Sequence, residues 1–142
     1  MYTKNHLLRY LLSVLFLACP AYAQYGGGAG EPDDPYLIHN ASQMDAVGAE
    51  PNDWDKHFKL MADIDLKDFG GSSFSLIGSS SQPFKGVFDG NGHTISNLTY
   101  IVTGDEDPVD DAVIQYFGVF RYVDDPNAMI KNLSLVDPDV QP

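Results

Sequence analysis

Gly86-Val87-Phe88-Asp89-Gly90-Asn91-Gly92-His93-Thr94-Ile95-Ser96-Asn97-Leu98-Thr99-Tyr100-Ile101-Val102 is the stretch on which the reading of the fold turns. Gly86-Val87-Phe88 and residues 93–102 have strand composition. Asp89-Gly90-Asn91-Gly92 between them is a tight turn, because Asn and Gly accept positive φ. Parts of this stretch return later. Gly86-Val87-Phe88 recurs as Gly118-Val119-Phe120, 32 residues on, and Ile95-Ser96-Asn97-Leu98-Thr99 recurs as Ile130-Lys131-Asn132-Leu133-Ser134, 35 residues on. A longer turn, Asp124-Asp125-Pro126-Asn127, accounts for the difference. Short strands returning at such a period, with Gly and Asn corners, predict a stacked repeat rather than a sandwich.

The expected fold class is all-β, a right-handed parallel β-helix in which each coil leaves an apolar stripe that its neighbour covers. Val87 is expected to stack near Val119, Ile95 near Ile130 and Leu98 near Leu133. Gly86, Gly118, Asn97 and Asn132 are the structural residues of this reading. The two asparagines are expected at equivalent corners, where side-chain amides can bond one another and the turn backbone.

Upstream, His57 to Leu66 is the clearest strand: Phe58, Leu60, Ala62, Ile64 and Leu66 alternate with more polar neighbours, so one face is buried. Phe74-Ser75-Leu76-Ile77 and Tyr36-Leu37-Ile38 are shorter strand candidates. Between Ile38 and His57 the period changes. Asn40 as N-cap with Gln43 three residues on, and Met44 and Val47 on one face, predict a helix over 41–48 that covers the open end of the first coil.

The flanks set the address. Residues 1–23 read as a signal peptide: Lys4 and Arg9, an apolar run from Tyr10 to Ala18, then Ala21-Tyr22-Ala23 with cleavage before Gln24. A lipoprotein signal at Cys19 is the rival, and Phe16 and Pro20 argue against it. Residues 24–35, rich in Gly and Pro, read as a flexible leader outside the core, and residues 36–142 as the repeat domain. After cleavage no cysteine remains, so disulfide and thiolate-metal chemistry are excluded. Six basic residues then face 20 acidic ones, a net charge of −14. That field repels nucleic acid, anionic lipid and acidic polysaccharide.

Several motifs together resemble a known family. Pro35-Tyr36-Leu37-Ile38, Phe58-Lys59-Leu60, Asp63-Ile64-Asp65-Leu66, Ile77-Gly78, the run from Pro83 to Ile95, Phe117-Gly118-Val119-Phe120 and Ile130-Lys131-Asn132-Leu133 resemble the start of secreted bacterial β-helix proteins with GLUG-type repeats, over residues 35–137. The resemblance implies architecture and an extracellular address, and it carries no catalytic residues to transfer. Such repeats also occur beside the catalytic domain of immunoglobulin-cleaving zinc peptidases. Chains of this kind continue through more coils, so this one reads as the N-terminal part of a longer β-helix, with further coils as its expected partner.

Candidate chemistry is sparse. Zinc peptidase activity needs two histidines on one helix face, and His39, His57 and His93 lack that spacing. Calcium could be held by Asp63, Asp65, Asp105 or Asp107, against the plainer reading of a solvated acidic surface. Acids suited to glycosidase pairs are too abundant to single out, and Lys85 and Arg121 are the conceivable anion contacts of a lyase groove. Trp54, in the polar run Asn52-Asp53-Trp54-Asp55, is the one aromatic singled out for stacking on a sugar, but core packing is the leading reading for it, because large aromatics are usually buried. Sequons at Asn40, Asn97 and Asn132 are glycan acceptors only in a host that modifies them. The function expected is a secreted or cell-surface, non-catalytic module with a structural, adhesive or glycan- or protein-binding role. The alternative is the N-terminal fragment of a polysaccharide lyase or glycoside hydrolase whose active site lies downstream.

Overall fold

The computed structural model describes residues 24–101 and 118–141. Its strands are short and, in all three sheets, parallel. β1 (Tyr36–Ile38), β2 (His57–Leu60), β4 (Val87–Asp89) and β7 (Met129–Lys131) form the first sheet in the order β1-β2-β4-β7. β3 (Ile64–Asp65), β5 (Thr94–Ser96) and β8 (Ser134–Val136) form the second, and β6 (Thr99–Ile101) pairs with β9 (Asp139–Gln141) in the third. The result is an all-β, parallel-sheet repeat with one short helix, consistent with a β-solenoid.

The register follows the inward side chains. Phe58 lies opposite Tyr36 and Phe88, and Phe88 lies opposite Ile130. In the second sheet Ile95 sits between Ile64 and Leu135. The rings of Phe58 and Phe88 stack 6.2 Å apart at 28°. Phe84, Phe74 and Ile77 fill the remaining side of the core, where isolated parallel bridges join Ile77 to Phe120 and Phe84 to Val123. Each fully buried Phe or Ile of this kind stabilises the fold by about 1.5–3 kcal/mol.

This register corrects the expected one. Ile95 stacks on Leu135, not Ile130, and Val87 lies opposite Met129, not Val119. The Gly-Val-Phe echo is not a structural repeat: Phe120 bridges Ile77 and meets Phe88 only edge-on, at 5.2 Å between centroids. Asn97 and Asn132 are at different corners. Asn132 follows the first-sheet strand β7, whereas Asn97 follows the second-sheet strand β5 and has Asp137 as its counterpart after β8. All three adopt positive φ, at 56° for Asn97, 53° for Asn132 and 49° for Asp137.

The long strand expected over 57–66 is two strands with a corner at Met61–Asp63. Where pairing with β4 ends, the Leu60 carbonyl accepts from the Asn91 side-chain amide of the next coil, 3.1 Å away. Inward alternation nevertheless continues through the bend, and Phe58, Leu60, Ile64 and Leu66 are all buried. The segment 74–77 contributes a single bridge rather than a strand.

Helix α1 (Ala41–Ala49) begins where the capping pattern placed it: Asn40 Oδ1 accepts from the Gln43 N–H at 3.0 Å, and Gln43 Oε1 accepts from the His39 N–H at 2.7 Å. Met44 and Val47 are buried, and the helix lies against β3, the first strand of the second sheet. The segment 24–35 is not the flexible leader that its composition suggested. Its Tyr25 is only 6% exposed and packs 4.5 Å from the Tyr36 ring and 5.6 Å from the Phe58 ring. The Gly26 N–H donates to the Leu37 carbonyl and the Leu37 N–H to the Gly27 carbonyl, so glycines lie flat along the outer edge of β1.

Gly86 and Gly118 are not equivalent. A Cβ on Gly86 would fall on the Lys56 carbonyl of the preceding coil, whereas one on Gly118 meets, among the described residues, nothing nearer than the Phe120 carbonyl at 3.8 Å. Gly86→Ala is therefore expected to force the two coils apart at a cost of about 1–3 kcal/mol, lowering the melting temperature by several degrees, with Gly118→Ala near neutral. Thermal melts by circular dichroism check this, and equal effects at the two positions would count against the close approach.

Candidate functional site

The functional candidates with the most defined geometry are the carboxylates at strand ends. Asp65 closes β3, and its Oδ1 accepts from the Lys67 N–H at 3.0 Å and from Asn97 Nδ2 at 2.8 Å. Asp89 closes β4, and its Oδ1 accepts from the Asn91 N–H at 2.8 Å and from Asn132 Nδ2 at 3.0 Å. The offset is the same in both cases. Asp65 pairs with Ser96, Asp89 pairs with Lys131, and the donating Asn is the residue just after the partner. A strand-final Asp thus folds its own turn and holds the left-handed corner of the next coil. Lysines flank both, Lys67 Nζ at 3.6 Å from Asp65 and Lys131 Nζ at 3.6 Å from Asp89. Asp63 acts similarly at another point: its Oδ1 accepts from the Thr94 N–H at 2.9 Å and lies 3.1 Å from His93 Nδ1.

These donors favour the charged carboxylate. The Thr94 N–H, then His93, hold Asp63 below its ordinary pKa. The Asn97 amide and then the Lys67 N–H do so for Asp65. For Asp89 the Asn132 amide leads and outweighs partial burial, helped by the Asn91 N–H and Lys131.

Asp63 and Asp65, the calcium candidates that fall on described residues, therefore each hold protein donors from the next coil. Asp105 and Asp107 lie outside the described residues. Among the described residues no group of three or more His, Cys, Asp or Glu is placed to hold a metal ion. Lys85 and Arg121 are exposed on loops. Trp54 is 5% exposed, and its indole N–H donates to the Val47 carbonyl at 2.7 Å. Its ring belongs to the core and fixes the C-terminal end of α1, so it offers no face to a sugar.

A cleft of about 250 Å³ that sequence reasoning missed lies at the N-terminal end, lined by Gln24, Tyr25, Gly27, Gly28, Tyr36 and Asp53. The Tyr25 hydroxyl donates to Asp53 Oδ2 at 3.0 Å. Burial, reinforced by the Asp53 carboxylate, holds the Tyr25 phenol above its ordinary pKa. The cleft is smaller than the roughly 300–1,000 Å³ of ordinary ligand sites, and the hydroxyl that faces its carboxylate already occupies one oxygen. Tyr25 carried no sequence signal beyond being an aromatic in a glycine run.

No family model and no solved structure matches the chain. Among curated proteins, it is 33% identical over 114 residues to a protein of Evansella cellulosilytica described as a Gly-rich membrane protein, a match covering 78% of this chain and 12% of that one. It is 36% identical over 78 residues to halomucin of Haloquadratum walsbyi, covering 51% of this chain and 1% of the relative. The chain thus spans a small part of the length of either. Among the described residues no helix is long and apolar enough to cross a membrane.

A carboxylate whose folded pKa is depressed stabilises the fold above its unfolded value, about 3.9 for Asp, and loses that contribution as pH falls through the folded value. Melting temperature is accordingly expected to hold from neutral pH down to about pH 4 and to fall below it. Asp89→Asn is expected to lower stability at neutral pH and to flatten the acid limb. Melts between pH 7 and pH 2 check both, and an unchanged acid limb would remove Asp89 from the account.

Proposed function

We propose that this chain is the capped N-terminal part of a right-handed parallel β-helix of the GLUG-repeat kind, exported by cleavage after Ala23. Its role is non-catalytic: it holds a regular acidic surface outside the cell for contact with glycans or other proteins. The observation that carries the reading is the commitment of the strand-end acids. Asp63, Asp65 and Asp89 are each bonded to the following coil, which is the use a scaffold makes of carboxylates. An active-site pair instead needs two acids facing a shared cleft. The cysteine-free acidic composition after residue 23 supports an extracellular address, and the relative described as a membrane protein supports one at the cell envelope. Residues 24–35 act as part of the cap and residues 36–142 as the repeat domain, continuing into further coils.

Two measurements test this. Expression with residues 1–23 intact is expected to export a chain whose mass begins at Gln24; retention in the cell, or a lipid on Cys19, would overturn that route. Incubation with neutral and acidic polysaccharides is expected to give retention on neutral ones alone, with no shortened or unsaturated products. Product release would instead establish the lyase or hydrolase reading.

A further inference from the structure

The two ends of the stack differ. At the first rung two of the three sheets are covered: the outer edge of β1 is hydrogen-bonded by residues 26–27, and α1 lies against β3 with Met44 and Val47 buried. At the last rung β7, β8 and β9 each stand at the end of their sheet, and among the described residues no strand pairs beyond them. The side chains register this difference. Phe58 and Phe88 are 1% and 0% exposed, whereas Ile130, next in their column, is 40% exposed. Ile64 and Ile95 are 1% and 0% exposed, whereas Leu135, next in theirs, is 42% exposed. The stripe that closes the core on the earlier rungs is open here.

The neighbouring column carries charge. Lys59, Asp89 and Lys131 are successive partners in the first sheet, so the sign alternates from rung to rung. Lys131 contacts the Asp89 below it at 3.6 Å. A carboxylate on the next rung would continue the series.

We propose that β7, β8 and β9 form a docking surface for one further parallel coil of a longer polypeptide. That coil seats an apolar side chain over Ile130, another over Leu135 and an acid over Lys131. The inference rests on the repeat-module reading above and adds to it the face, the register and the chemistry of the partner. A second copy of this chain does not meet the requirement in parallel register, because the edge it would offer at its first rung is already bonded to residues 26–27. The length of the relatives, of which this chain spans 12% in one and 1% in the other, also favours a continuing coil.

The chain itself supplies a probe with the right pattern, since residues 86–101 carry Phe88, Asp89 and Ile95 at the required positions. A copy of them is appended after Pro142 through a Gly/Ser linker of about 20 residues, long enough to cross one coil. Hydrogen–deuterium exchange of β7 and β8 amides is expected to slow at least tenfold. The substitution Asp89→Lys made only in the appended copy is expected to remove most of that protection. In sedimentation the unextended chain is expected to run as a monomer at micromolar concentration. No slowing in β7 and β8 while β2, β4 and β5 stay protected overturns the docking surface and leaves the repeat module standing. Equal protection by the Asp89→Lys copy overturns the acid requirement, and with it the partner proposed here. A dimer that Ile130→Lys dissolves also overturns it, because the face would then take a second copy. Loss of protection in β2, β4 and β5 of the parent chain overturns both readings.

Discussion

The stacking of Phe58 on Phe88 inside the first sheet is the contact on which the remaining structure depends. Parallel strands of three or four residues have too few main-chain bonds to fix their own alignment, and a slip of one residue would turn every inward side chain outward. Two large rings in one column remove that ambiguity. Once they are in register, Ile64 meets Ile95 in the second sheet, and Tyr25 and Tyr36 close the column at one end. Gly86 follows from the same constraint, since the coils can approach only where a side chain is missing at the Lys56 carbonyl.

The polar side chains answer a different need. A coil must bend between its strands as it passes from sheet to sheet, and each bend exposes backbone donors and acceptors that the sheets no longer satisfy. Here one residue type solves two problems. A strand-final Asp accepts the N–H of its own turn and also an amide from the corner of the coil above, so that each bend is tied to the next. The exposed lysines nearby add little individually, as surface ion pairs do. The same offset joins Asp65 to Asn97 and Asp89 to Asn132, once in each of two sheets.

The helix start at Asn40 and the buried alternation from Phe58 to Leu66 were legible because each depends on neighbours within a few residues, whereas the repeat character was read from echoes 32 and 35 residues apart whose pairing the structure does not keep. The register was not legible. Phe58 and Phe88 are 30 residues apart, whereas Phe88 and Ile130 are 42 apart, so no fixed period connects the rungs. The sequence echo of Gly-Val-Phe therefore pointed to the wrong pairing. Asn97 and Asn132 were recognisable as corner residues from their type, but their true partners are acids in the preceding coil, and no local pattern reports that. Tyr25 was missed because a glycine-rich neighbourhood resembles surface, whereas the core packing read for Trp54 holds despite its polar neighbours; in each case the ring finds a core position and its polar atom finds one acceptor.

The closed end of the stack is also the end that leaves the ribosome first. Its consequence is one of order in time. Each rung forms mainly against the rung before it, with sequence separations set by one coil. A chain emerging from its N-terminus can pair residues 26–27 with β1 before β2 follows, whereas α1 and Tyr25 find their packing only once β3 and Phe58 are in place. Each strand added to the first sheet then meets an edge already paired on its far side, which limits the interval in which bare edges could join the wrong neighbour. The pairing of residues 26–27 with β1 is thus a matter of order as much as a cover for an edge.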